Sequence, residues 1–246
     1  MTVWDADIVK DVNINRSGIF TFRHAAAKIK KASAVAEALP AFSLVRDLSV
    51  VGNDRDVRLR AELPDLLDAD LIIMTVDDAK PRHFVNRVAF AHYIPVLDGG
   101  NVIRSTAEND GEAVEGTIED GGIRVNVIVP GGPCLWCAGH LTAERLSLAY
   151  RTPEEIAADR ARGYVEGLGP EHAPSVIPVN VMTAALIECR LQDLLFHLSD
   201  RAVAEVYYGV IDGRLDELPR DQKPFCRHCR RWEGAGDAVE LDFADA

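Results

Sequence analysis

Two short cysteine motifs constrain this chain more than any other feature. They are Cys134-Leu-Trp-Cys137 and Cys226-Arg-His-Cys229. Each C-x-x-C pair sets two sulfurs close enough to grip the same ion, and two pairs complete a tetrahedral thiolate shell of the kind Zn²⁺ favours. A shell closed by four protein ligands has no position left for water, so the site is expected to be structural. Binding of this type contributes on the order of 10 kcal/mol to folding. It would tie the C-terminal part of the chain back to the strand that ends at Pro130. The competing readings are a redox dithiol, which needs only one pair, and two unrelated surface motifs. His228 could replace a thiolate, yet it stands between two better ligands. The fifth cysteine, Cys189, falls on a helical face with Met182, Ala185, Leu186 and Phe196 and is expected to be a small buried hydrophobe.

The composition narrows the class. A chain of 246 residues with 48% apolar and 27% charged residues is an ordinary globular sequence, long enough to bury a full core. No apolar run reaches the roughly 20 residues needed to span a bilayer. Asp5 and Asp7 lie where a signal peptide would carry a basic and then an apolar region, so a cytoplasmic protein without a membrane partner is expected. A net charge of −12 argues against a nucleic-acid partner, since phosphate contacts need a basic face. It also disfavours a zinc-ribbon nucleic-acid binder. The small cluster Arg227, Arg230 and Arg231 is expected to flank the metal site.

The order of elements points to an α/β fold. Met1–Asp5 is a short β-like run ending in an acid, and the alanine-rich stretch 24–39 reads as helix. Ser43–Val51 and the continuous apolar run Asp70–Val76 read as strands, the latter of the kind covered on both faces of a parallel sheet. Residues 81–92 read as a helix with proline near its start, and Ile94–Leu97 as a strand broken by Gly99-Gly100. Ile123–Val129 is a half-buried strand feeding the first cysteine pair. Helical stretches at 140–149 and 153–162 belong to a crossover segment, 138–175. Residues 179–198 read as a long helix, and Val203–Ile211 and Ala238–Phe243 as strands. The expected architecture is a Rossmann-like, largely parallel sheet with helices on both faces and a zinc-clasped C-terminal part. It forms a single domain over 1–246, with a nucleotide-binding portion at 1–130 and the clasped portion at 131–246.

Four stretches, in order, resemble the ThiF/MoeB/HesA family, whose fold is shared with ubiquitin-activating enzymes. They are Trp4-Asp-Ala-Asp7 with Asn13-Ile-Asn-Arg16; Lys30-Lys31 opening the alanine-rich helix; Asp70-Leu-Ile-Ile-Met-Thr-Val-Asp77-Asp78 with Arg82 and Asn86; and the two cysteine pairs, the first as Gly-Gly-Pro-Cys-Leu-Trp-Cys. The resemblance implies an adenylyltransferase that joins ATP to the C-terminal glycine of a ubiquitin-like or sulfur-carrier protein and releases pyrophosphate. By that resemblance Asp5 would hold the ribose hydroxyls. Asn13, Arg16 and Lys31 would face the phosphates, and Asp77 would hold Mg²⁺. Partners would be the carrier protein and a second copy or another family member in a dimer.

The sequence departs from the family pattern in three ways. It starts at the family's second strand, and no G-x-G-x-x-G loop occurs in it, so the amides that would cradle phosphates at a helix N-terminus are not supplied. The expectation is a fragment, a subunit completed by another chain, or a non-catalytic zinc-stabilised scaffold that binds a ubiquitin-like protein or a complete family partner. Asp78 stands where the family has Asn, which adds negative charge. Between Cys137 and Cys189 there is no cysteine, so a thioester mechanism is not expected.

Overall fold

The computed structural model describes residues 1–105, 118–161, 176–200 and 203–244. They fall into two compact units. The first comprises Met1–Asp68, Val176–Val181 and Asp242–Ala246, and the second Ala69–Ser175 and Met182–Leu241. Among the described residues, no helix is long and apolar enough to cross a membrane.

In the first unit, β1 (Thr2–Trp4) pairs in parallel with β2 (Val51–Asn53). Between them lie the short helix α1 (Phe22–Ala26) and the longer α2 (Lys31–Phe42). The alanine-rich stretch is therefore two helices, not one. Lys28 takes a left-handed conformation, φ 51°, and Lys30 is extended and bridges to Ile8 before α2 begins. The strand expected over Ser43–Val51 is confined to Val51–Asn53, and the residues ahead of it stay out of any ladder, with Leu44 fully exposed. Ala32 and Ala34 are buried on α2, and a β-carbon at Gly52 would lie 2.6 Å from the Ala32 carbonyl. Helix and strand thus approach to backbone distance, which only small residues permit. Just ahead of α3 (Leu63–Leu67), the buried carboxylate of Glu62 accepts from the Trp4 indole (3.3 Å) and the Asn53 amide, and pairs with Arg55 at 3.4 Å.

The second unit is built on a five-stranded sheet of order β3-β4-β5-β6-β7. Its strands are β3 (Ile72–Met74), β4 (Val96–Ser105), β5 (Ile118–Ile128), β6 (Glu205–Gly209) and β7 (Leu215–Leu218). The β3–β4 pair is parallel and the others are antiparallel. Parallel pairing therefore falls on the first four strands of the chain, and antiparallel pairing takes over from β4 onward. The expected break at Gly99-Gly100 does not occur, because β4 runs through both glycines. A β-carbon at Gly99 would lie 2.5 Å from Ile187 Cδ1, so this glycine admits a helix against the sheet instead of ending the strand. That helix is α8 (Ile177–Phe196), whose residues are divided between the two units. On this side Leu97, Val125 and Ile187 form the buried core, with Leu71, Val127, Leu186 and Leu191 packed on it.

Helix α4 (Ala79–His92) is the most deeply buried helix of the described residues. Phe84, Val88, Ala89 and Phe90 are all 1% exposed or less. It stops at Tyr93, which takes the left-handed C-cap conformation at φ 59°. The short α5 (Leu135–Ala138), α6 (Ala143–Tyr150) and α7 (Pro153–Ala161) follow β5, and α9 (Cys229–Trp232) follows β7. The rest of the expected crossover, 162–175, lies outside the described residues. Ala238–Phe243, expected as a strand, joins no ladder and follows a 3₁₀ turn at Gly236–Ala238. Cys189 is exposed, not buried. The face of α8 that packs on the sheet is the one carrying Thr183 and Ile187, which turns Met182, Ala185 and Cys189 outward.

Candidate metal centre and nucleotide-site residues

Cys134, Cys137, Cys226 and Cys229 meet in the second unit, all buried, with their sulfurs within 4.8 Å of one another. Three of the sulfur–sulfur separations, Cys134–Cys137, Cys134–Cys226 and Cys137–Cys229, are 3.7 Å. A tetrahedron with metal–sulfur bonds of about 2.3 Å has an edge of about 3.8 Å, so the four atoms stand where such an ion would put them. The clustered thiols perturb one another. The Cys229 thiol is lowered to about 5, chiefly by the hydrogen bond from Cys134 and against the effect of burial. Cys134 is pushed up by that same contact and then by burial, and Cys226 is pushed up by burial first. A divalent ion would let all four ionise, as metal binding by thiols requires.

The surroundings suit thiolates. The backbone N–H of Lys223 donates to Cys137 Sγ and the Gln222 side chain to Cys229 Sγ, both at 3.4 Å. The two residues inside the motifs lock the knuckles together. Trp136 stacks on His228 with ring centroids 3.8 Å apart and planes 6° from parallel, while its indole N–H donates to His83 Nδ1 at 3.1 Å. Burial, and then the charge of Arg87, lower His228 to about 4, so its ring is neutral near pH 7. The Asn86 side chain accepts the backbone N–H of Leu135 at 3.0 Å, which fastens the first knuckle to α4. Asn86 belongs to the pattern noticed in the sequence, and this is the work it does.

The nucleotide-site residues named from the sequence are distributed over both units. In the first unit, Asp5 and Lys31 come together, Lys31 Nζ lying 3.9 Å from Asp5 Oδ2. A shorter bond, 2.7 Å, runs from Lys31 to Asp7 and holds the Asp7 carboxyl below its ordinary range. Asp7 belongs to the motif that contains Asp5, and the family resemblance gives it no role. The Asn13 side chain accepts the backbone N–H of Lys10 and caps the short 3₁₀ turn Asp11–Asn13. The backbone carbonyl of Arg16 accepts the Asn180 side-chain amide at 2.7 Å. In the second unit, Asp77 is exposed just beyond β3, and Asp78 is the N-cap of α4, accepting the backbone N–H of Lys80 at 2.8 Å. Asp and Asn serve almost equally well as N-caps, which gives Asp78 a local structural reason.

Beside the cysteine cluster lies a polar network of which only Arg82 belongs to the pattern noticed in the sequence, because its other members are far apart along the chain. Asp98, Asn126 and Glu205 are successive cross-strand partners on β4, β5 and β6, and so share one face of the sheet. Asp98 is fully buried. It pairs with Arg82 Nε (3.1 Å) and Arg124 Nη2 (3.2 Å) and accepts from the Asn126 amide (3.0 Å). Arg124 Nη1 donates to His140 Nδ1 at 2.7 Å, which leaves the proton of the neutral ring on Nε2, 3.2 Å from Glu205. Burial would raise the Glu205 carboxyl, but His140 and Arg220 (2.9 Å) outweigh it and hold the group below its ordinary range.

An α/β sheet carrying a four-cysteine clasp on its C-terminal side defines a recognisable class. A sequence model of the ThiF family matches residues 1–186, and the chain belongs to that family. No curated protein matches it in sequence. Among solved structures, E. coli MccB with ATP superimposes with a TM-score of 0.64 at 16% identity, over 93% of this chain and 59% of that one. The microcin C7 biosynthetic enzyme MccB in complex with N-formylated MccA gives 0.66 at 16% identity, over 93% and 59%. SeMet PaaA gives 0.52 at 16%, over 87% and 62%. At such identities the shared property is the fold. The chain spans about three fifths of the length of these neighbours.

Proposed function

We propose that this protein is an adenylyltransferase-type subunit of the ThiF family, activating the C-terminal carboxylate of a ubiquitin-like or sulfur-carrier protein with ATP. Family membership across residues 1–186 is the observation that carries the reading. MccB, which shares the fold, has been solved with ATP and with MccA, consistent with a nucleotide and a polypeptide meeting on this scaffold. ATP would supply the leaving group, since a carboxylate reacts poorly until it is adenylated. The remaining task for the protein is positioning and charge neutralisation. Asp5, at the end of β1, would accept the ribose hydroxyls. Arg16 and Lys31 would offset phosphate charge with Asn13 helping to place them, and the exposed carboxylate of Asp77 would hold Mg²⁺. The protein would work in the cytoplasm as a dimer with its own kind or with a family partner.

The four buried sulfurs would hold Zn²⁺ as a closed structural site, with no step of the chemistry passing through it. Their tetrahedral edge length and their all-sulfur character support zinc over the oxygen-seeking ions.

ATP–pyrophosphate exchange measured with candidate carrier proteins tests the first reading. Exchange that requires the carrier and disappears in Asp77→Ala supports it, and no exchange with any carrier sinks it. A second reading, a zinc-stabilised scaffold that binds a carrier without adenylating it, is favoured by the engagement of Lys31 with Asp7 and Asp5. Two carboxylates already occupy that cation. Carrier binding in the absence of any nucleotide binding would select the scaffold.

A further inference from the structure

Asn126 sits in the middle of the buried network, between Asp98 on β4 and Glu205 on β6, and is only 3% exposed. Its amide has a fixed orientation. The Nδ2 group donates to Asp98 Oδ2 at 3.0 Å, and a carboxylate flanked by two guanidinium groups is an acceptor. Turning the amide over would set oxygen against oxygen. Oδ1 therefore faces away from Asp98, and this buried acceptor meets no hydrogen-bond donor of the protein. Native structures rarely leave a desolvated acceptor so.

The same residue lines a cavity of about 10 Å³, measured as the space open to the centre of a water molecule. Pro133, Cys134, Ala138, Ala204 and Arg220 are among its other walls. A volume of roughly 10–15 Å³ on this measure is what one water molecule needs.

We infer that this cavity is a binding site for one ordered water molecule, which donates a hydrogen to Asn126 Oδ1 and accepts one from the Arg220 guanidinium. Size and polarity together select the occupant. The space is too small for an oxyanion such as phosphate. The amide oxygen repels a halide, and the guanidinium repels a metal cation. Water serves both groups because it donates and accepts. Arg220 already gives its Nε hydrogen to Glu205 at 2.9 Å. The water thus joins the two carboxylates of the network, Asp98 through Asn126 and Glu205 through Arg220. Cys134 borders the same space, which places the water between the network and the sulfur cluster. The site lies within the second unit and does not depend on the adenylation reading.

Crystals of the full, zinc-loaded chain that diffract well enough to show ordered solvent test this. One density peak is expected within hydrogen-bond distance, about 2.7–3.2 Å, of both Asn126 Oδ1 and the Arg220 guanidinium. Soaking in sodium bromide should give no anomalous peak there, and a bromide in the cavity would overturn the proposal in favour of an anion. Ala138→Val adds two methyl carbons to the lining. Its crystals should lack the peak, and its urea midpoint should fall because Asn126 Oδ1 loses its partner. An unchanged or raised midpoint would show that a dry void had been filled, and would sink the water. If the variant does not fold, the wild-type crystals decide alone. A cavity without density, or an Asn126 oxygen bonded to a protein donor, overturns the assignment.

Discussion

The indole of Trp136 lies flat on the imidazole of His228, 3.8 Å between ring centres, so the two knuckles touch through their middle residues as well as through sulfur. Trp136→Ala removes that stack and the bond to His83. It is expected to cost about 2–4 kcal/mol, read as a lower urea midpoint, while metal content stays unchanged. Metal lost in parallel with stability would mean that the rings hold the ligands in place and do more than brace them.

Removing the ion should be far more damaging. With zinc in place, a strong chelator is expected to lower the melting temperature by tens of degrees, because binding energy of this kind is folding energy. Cys137→Ser should abolish stoichiometric zinc. Elemental analysis beside calorimetric melting checks both, and a chelator-treated chain that melts unchanged would remove the clasp from the account of stability.

Glu205 sets a pH dependence of definite sign. Its carboxyl titrates below its ordinary range in the folded state, so its stabilisation is fully present above the unfolded value of about 4.3. That stabilisation is lost as pH falls through the folded value. Glu205→Gln is expected to be less stable by about 1–3 kcal/mol at pH 6. The difference from wild type should shrink as the pH drops below 4. Denaturant unfolding at a series of pH values measures this, and a gap that widens on acidification would reverse the assignment.

Gly99→Ala tests why β4 passes through two glycines. The added methyl meets Ile187 Cδ1 at 2.5 Å inside the core, and overpacking there typically costs about 1–3 kcal/mol. Because the obstacle is one side chain, Ile187→Ala in the same molecule should recover part of the loss. A double-mutant cycle gives the coupling, and strict additivity would show that the glycine is needed for some other reason.

These cases also separate what the amino-acid sequence carries locally from what only the folded chain brings together. The cysteine clasp was legible because its chemistry is local: two sulfurs per motif and a known preference for four. The strand at Ile72–Met74 and helix α4 were legible because an apolar run and a proline near a helix start act within a few positions of themselves. The placement of Asp5 near Lys31 came from family likeness, and the stronger bond to Asp7 was not anticipated. Gly99 was misread as a strand breaker because its reason, Ile187, is remote in the sequence. Cys189 was misplaced for a related cause. Its helix is apolar on more than one side, and periodicity does not say which side meets the sheet. The Asp98 network assembles from three strands, α4 and the segment after Cys137, so no window of sequence contains it.

The clasp has a consequence for how the chain is made. Cys137 and Cys226 are far apart in sequence but belong to one cluster of sulfurs, so a ribosome adding about 5–20 residues per second presents the first pair of thiols roughly 5–20 s before the second. During that interval the nascent chain offers a half-built centre to any oxidant or competing metal. The four-sulfur geometry that favours one ion over another exists only once the second pair has emerged.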